Sequence, residues 1–167
     1  DLDTIYGRLL WRAQMAGVAD AVRGIFWHQG ESDGAQPYET HLGLWTAMYE
    51  DWLEDYPNVE GIYVFQVRDG CGSPTWNRNL PRELPELLSM VKGNMSTTGV
   101  TVHDSCHFYH GAYAEWGERL ARIVDRNLYG GTNPGNSDAP NPQKATWLSP
   151  TQLEIDYGAT GGGLILE

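Results

Sequence analysis

Gly24-Ile25-Phe26-Trp27-His28-Gln29-Gly30-Glu31-Ser32-Asp33 starts apolar and turns polar at a single residue, His28. With Val22 before it, the apolar part has the length and residue types of a strand buried on both faces, although periodicity alone leaves a helix open. Four chemically capable side chains and a glycine follow at once. In an open α/β sheet, ligands bind in the crevice beyond the carboxyl ends of the strands. A strand that delivers His28, Gln29, Glu31 and Asp33 to that edge is a candidate wall of an active site.

Elements on either side of this stretch alternate. Residues 3–19 read as a helix with Ile5, Leu9, Ala13 and Ala16 on one face. Residues 38–56 form the clearest helix, with Leu42, Trp45, Tyr49, Trp52 and Tyr56 at spacings of three and four, stopped by Pro57-Asn58. Residues 61–67 are a second β-rich apolar run, ended by Arg68-Asp69-Gly70. A loop with Cys71, Pro74, Trp76 and Asn77 is expected next, then a helix over 82–92 carrying Leu84, Leu87, Leu88 and Val91. Val100-Thr101-Val102 reads as a third short strand, and a helix over 111–128 carries Tyr113, Trp116, Leu120, Ile123 and Leu128 on one stripe. This order predicts an α/β fold with parallel strands and helices on both faces.

The texture changes near residue 130. The segment 130–142 is dense in Gly, Pro and Asn and reads as a linker. Beyond it, 145–148 and 152–157 predict two strands about Ser149-Pro150-Thr151, with 164–166 as a possible third. The expected division is therefore an α/β unit over 1–129, a linker over 130–142, and a β-rich segment over 143–167. That segment is the start of a second domain or a strand cluster packed on the first.

Composition narrows the partners. A formal net charge of −11 argues against nucleic acid and against an anionic membrane surface, both of which need clustered Lys and Arg. No apolar run reaches the length of a membrane span, and no signal peptide is visible. Cys71 and Cys106 each follow an apolar run closely, and could pair in an oxidising compartment or stay as thiols in a reducing one.

The second polar cluster is Asp104-Ser105-Cys106-His107. An Asp three residues before a His can curl back so that its carboxylate holds the imidazole Nδ1 proton. The tautomer is then fixed, and the imidazolium that forms when the other nitrogen acts as a base is stabilised. Beside Gln29 and Glu31 at a neighbouring strand end, this is most of a serine-hydrolase site: His107 as base, Asp104, Glu31 or both orienting it, and the Gln29 amide donating toward an oxyanion. Gly30 would let the backbone approach a substrate or take a positive φ. Taken singly, each motif has a plainer reading. Asp-x-x-His is usually a turn-stabilising Asp beside a surface His, and a strand-end Glu usually caps a helix or faces water.

Together, Trp27-His28-Gln29-Gly30-Glu31-Ser32-Asp33 and Asp104-Ser105-Cys106-His107-Phe108, followed by an amphipathic helix, resemble the SGNH-hydrolase superfamily. Within it the chain is most similar to the sialate O-acetylesterase and carbohydrate esterase family six group, over residues 20–128. There, Trp-x-Gln-Gly-Glu is the third characteristic block and Asp-x-x-His the last. The resemblance implies a flavodoxin-like three-layer α/β/α fold and hydrolysis of O-acetyl groups on sugars, without a cofactor. It implies His107 as base, Glu31 and Asp104 as its carboxylate partners, Gln29 in the oxyanion region, and a secreted, periplasmic or extracellular setting.

The sequence departs from that pattern in one respect. The Gly-x-Ser block that supplies the family's nucleophile is missing, and so is the second block with its oxyanion-hole glycine. Ser32, Ser73, Ser89, Ser96, Ser105, Ser137 and Ser149 are the serines present, and none has that context. The chain thus resembles the carboxy-terminal part of an esterase domain, its nucleophile expected on an upstream segment, and by itself it should be inactive.

Two other readings compete. His103, Asp104, Cys106, His107 and His110, with His28 and Glu31, could form a metal hydrolase site. Alternatively the chain is a non-catalytic sugar-binding module, with Trp76 stacking on a pyranose and Asn77 hydrogen-bonding it. The plainer role for Trp76 is to plug its loop onto the sheet.

Overall fold

Successive residues of the central strand β2 (Gly61–Phe65) point to opposite sides of a parallel sheet, and each side meets its own core. Ile62 and Val64 face one way, Tyr63 and Phe65 the other. The computed structural model describes residues 1–31, 36–68, 75–104, 107–132 and 142–157, with side chains left aside at 75–78.

The described elements run α1 (Ile5–Met15), a short 3-10 turn (Ala19–Ala21), β1 (Gly24–Trp27), α2 (Tyr38–Asp55), β2, α3 (Thr75–Leu87), β3 (Val91–Met95), α4 (Ala112–Leu128), β4 (Lys144–Ser149) and β5 (Gln152–Asp156). The sheet order is β1-β2-β3, all parallel, with Gly24 opposite Gly61 and Trp27 opposite Val64. On one face α1, α2 and α3 pack Tyr6, Leu10, Trp45, Trp52, Leu80 and Leu84 against Ile62, Val64 and Val91. On the other face α4 packs Trp116, Leu120 and Ile123 against Tyr63, Phe65 and Met95, joined by Val100 and Phe108 from the segment before it. This is the expected α/β/α layering, with β4 and β5 as a separate antiparallel pair. The turn expected at 149–151 joins those two strands.

Five expectations need correction. The third strand is not Val100–Val102. It is Val91–Met95, and only Val102 forms an isolated antiparallel bridge, to Phe108. Val-Lys-Gly-Asn-Met is a poor strand sequence by propensity, and its place comes from pairing with β2 and burial on both faces. In consequence the helix expected over 82–92 lies earlier, at Thr75–Leu87. It spans Pro81 and Pro85, which withhold two backbone donors, while Leu80 and Leu84 between them are completely buried.

Trp76 and Asn77 consequently lie within α3 and not in a loop. The core-facing stripe of α1 is Tyr6, Leu10 and Ala13, because Ile5 and Leu9 are 82% and 58% exposed. Finally, β1 is not buried on both faces. Among the described residues it pairs on one side only, and Phe26, on the α4 side next to Tyr63, is 52% exposed. Cys71, Cys106, most of the expected linker and the strand expected at 164–166 lie outside the described residues.

Candidate active site

The carboxyl ends of β1 and β2 and the loop before α4 meet at one rim of the sheet. Side-chain alternation puts Phe26 and His28 on the α4 side of β1. The His28 ring lies 5.0 Å from that of Phe65 and edge-on to Trp116, 4.6 Å between centroids. His28 Nε2 is 3.2 Å from Glu31 Oε1. Gly30, between them, is buried at φ +138°, and a Cβ there would stand 2.9 Å from Val67 Cγ2. Of the two roles expected for Gly30, the positive φ is the one its backbone takes, and the close contact is with Val67, just beyond β2.

Glu31 is partly buried. Burial alone raises its carboxyl pKa, but hydrogen bonds from His28, from its own main chain and from the Arg68 backbone N–H prevail, so the pKa lies below the ordinary glutamate value.

The second cluster sits on a narrow loop closed by the Val102–Phe108 bridge, by His103 N–H to the His107 carbonyl (2.9 Å) and by Tyr109 N–H to the Thr101 carbonyl (3.1 Å). Asp104 Oδ1 accepts the His107 backbone N–H at 2.7 Å, a local side-chain turn that the Asp-x-x spacing permits. The same carboxylate holds His107 Nδ1, at 2.9 Å from Oδ2 and 3.1 Å from Oδ1. Turn and imidazole orientation are therefore the work of one residue. Nε2 is left on the far side of a ring whose side chain is 71% exposed.

Arg68 and Trp116 bring the two clusters together. The Arg68 backbone serves Glu31, its Nη1 donates to the His107 carbonyl at 3.0 Å, and its guanidinium lies 5.0 Å from the Phe108 ring centre. Trp116 carries His28 on one side and Phe108, 4.4 Å away, on another. The two carboxylates divide their work: Asp104 holds His107, and Glu31 pairs with His28, with no hydrogen bond joining Glu31 to His107 among the described residues. Gln29 is exposed at the same strand end.

Sequence reasoning passed over Arg68 and assigned Trp116 only to the core. Arg68 directly follows the second apolar run, the same position His28 occupies after the first, and that parallel was the available signal. Among the described residues, which leave out Cys106, no three His, Cys, Asp or Glu side chains are grouped to hold a metal ion. No helix among those residues is long and apolar enough to cross a membrane.

The family described as "Carbohydrate esterase, sialic acid-specific acetylesterase" matches residues 2–126, which contain both polar clusters, the parallel sheet and nearly all of α4. Comparisons with the curated proteins and with the solved structures find no match. A match over most of the chain, on the elements that build this rim, makes the chain a member of the sialic acid-specific acetylesterase family of carbohydrate esterases.

Proposed function

We propose that this chain supplies the base-bearing part of a serine-type O-acetylesterase acting on O-acetylated sialic acid or a related acetylated glycan. The observation that carries the reading is the Asp104–His107 pair, a carboxylate on Nδ1 with Nε2 exposed at the strand-end rim. In this reading His107 Nε2 takes the proton of a serine hydroxyl, the serine oxygen attacks the acetyl carbonyl, and the sugar oxygen leaves with that proton. Water activated by the same imidazole then releases acetate. Gln29 faces the developing oxyanion with its amide, aided by the backbone at Gly30. Glu31 fixes His28 and the Arg68 backbone, and so shapes the wall between the two clusters. Trp76 and Asn77, at the start of α3, are the proposed sugar contacts.

The nucleophile is assigned to a segment upstream of residue 1, so the chain alone is inactive. The unit over 1–129 would carry the chemistry, with 130–142 linking it to the β-rich segment 143–167. The test is acetate release from O-acetylated sialic acid, by the 167-residue chain and by a form extended with the residues its gene encodes upstream. Activity only in the extended form, abolished by His107→Ala, is expected. His107-dependent activity in the short chain would refute the separate nucleophile, and an inert extended form would refute the esterase.

A further inference from the structure

Behind Arg68 lies a cavity of about 430 Å³, lined by Gln66, Arg68, Asn79, Arg82, Thr97 and Thr98 among others. Its size suits a small ligand. The wall is built in advance. Thr97 Oγ1 donates to the Gln66 carbonyl at 3.0 Å, and Thr98 Oγ1 reaches Gln66 Oε1 at 3.3 Å. From α4, Arg119 Nη1 donates to the carbonyls of Ser96 and Thr98 at 2.9 and 2.8 Å.

The charge is one-sided. This is an acidic chain, with 22 Asp and Glu against 11 Lys and Arg, and Arg23, Arg119 and Arg122 each sit on a carboxylate. Yet two arginines, Arg68 and Arg82, line the cavity, and none of its described lining residues is acidic. Among the described residues, Arg68 is engaged by a carbonyl and an aromatic ring, neither of which neutralises it. Arg82 Nε is buried and makes no hydrogen bond among the described residues. An arginine lining the cavity can hold an anion through its charge and the paired N–H donors of its guanidinium. A planar carboxylate, taken in the fork geometry that arginine favours, matches those donors, with the Thr97 and Thr98 hydroxyls and the Asn79 amide at hand for sugar hydroxyls.

We infer that this cavity is the subsite for the substrate's own carboxylate, with Arg82 as the residue that tells an acidic sugar from a neutral one. The assignment rests on the proposed function, since Arg68, Val102 and Phe108 tie the cavity wall to the loop that carries His107. It makes Arg82 a specificity residue with no part in the acetyl-transfer chemistry.

The experiment is titration calorimetry on the 167-residue chain, which needs no nucleophile. N-acetylneuraminic acid, its neutral carboxyl methyl ester and inorganic sulfate are compared on the wild type and on Arg82→Gln. The acid should bind at least tenfold more tightly than the ester, and Arg82→Gln should erase that ratio while circular dichroism stays unchanged. Arg82→Lys keeps the charge without the fork and should fall between. Equal binding of acid and ester by the wild type would overturn the proposal without recourse to any variant. So would binding of sulfate with none of the acid, or no binding at all. Hydrolysis by the extended form that ignores the carboxylate would sink this subsite while leaving the esterase intact. A carboxylate-dependent acid signal from a protein that never hydrolyses would do the reverse.

Discussion

Replacing Trp116 tests how the two polar clusters come to share one rim. The side chain is 3% exposed on α4, and its ring meets those of His28, Phe65, Phe108 and Tyr113 at centroid distances of 4.6, 5.6, 4.4 and 5.1 Å. Truncating a buried Trp to Ala costs about 3–5 kcal/mol through lost transfer free energy and the cavity left behind. Domains of this size have about 5–15 kcal/mol in all. At about 2–4 °C per kcal/mol, Trp116→Ala should lower Tm by roughly 6–20 °C.

Trp116→Phe separates ring from indole. Among the described residues the Trp116 Nε1–H is buried with no acceptor, so Phe removes an unsatisfied donor worth about 1–3 kcal/mol, which offsets much of the area it loses. Urea unfolding followed by circular dichroism should put Trp116→Phe within about 1.5 kcal/mol of wild type, the range of near-isosteric core swaps. NMR spectra of Trp116→Ala should show His28 and the 102–108 loop displaced together. A loss below about 1 kcal/mol for Trp116→Ala, well short of the cavity cost, would refute this account. So would equal losses for Ala and Phe.

Three further outcomes are expected. Gly30→Ala combines φ +138° with a Cβ 2.9 Å from Val67 Cγ2 and should cost about 2–4 kcal/mol, part of it recovered in a double variant with Val67→Ala; no recovery in a double-mutant cycle would show the contact to be irrelevant. The Glu31 carboxyl lies below its ordinary pKa in the fold, so its stabilisation is complete above the unfolded value of about 4.3 and disappears as pH falls through the folded value; urea midpoints should drop on acidification in the wild type more than in Glu31→Gln, and parallel curves would exclude this assignment. His107 has an exposed side chain, so His107→Ala should leave stability within about 0.5 kcal/mol, whereas Asp104→Ala, which strips the acceptor from the His107 N–H, should cost about 0.5–1.5 kcal/mol in thermal melts; a large loss from His107→Ala would make that residue structural.

Much of this was legible in the chain. The sharp change from apolar to polar at His28 and the three-residue spacing of Asp104 and His107 are local signals. A strand end and a side-chain turn express them with little help from elsewhere. The α2 stripe Trp45-Tyr49-Trp52 likewise reads as a buried face because helical spacing alone aligns it. The third strand was hidden, since Val-Lys-Gly-Asn-Met carries no β signal of its own, and only hydrogen bonds to β2 and burial between α3 and α4 make it one. The α1 stripe was ambiguous for a related reason. Two apolar faces compete in the sequence, and the sheet selects Tyr6 and Leu10 over Ile5 and Leu9.

The sequence by itself determined which side chains can do chemistry and that an α/β sheet would present them at strand ends, because residue type and short-range spacing set those features. Tertiary structure alone decided that the two clusters meet, through Arg68, whose Nη1 reaches the His107 carbonyl, and Trp116, whose ring touches both His28 and Phe108. Those contacts join residues far apart in the chain that only three-dimensional packing brings together, whereas each carboxylate–imidazole pair is a three-residue spacing that the sequence already carries.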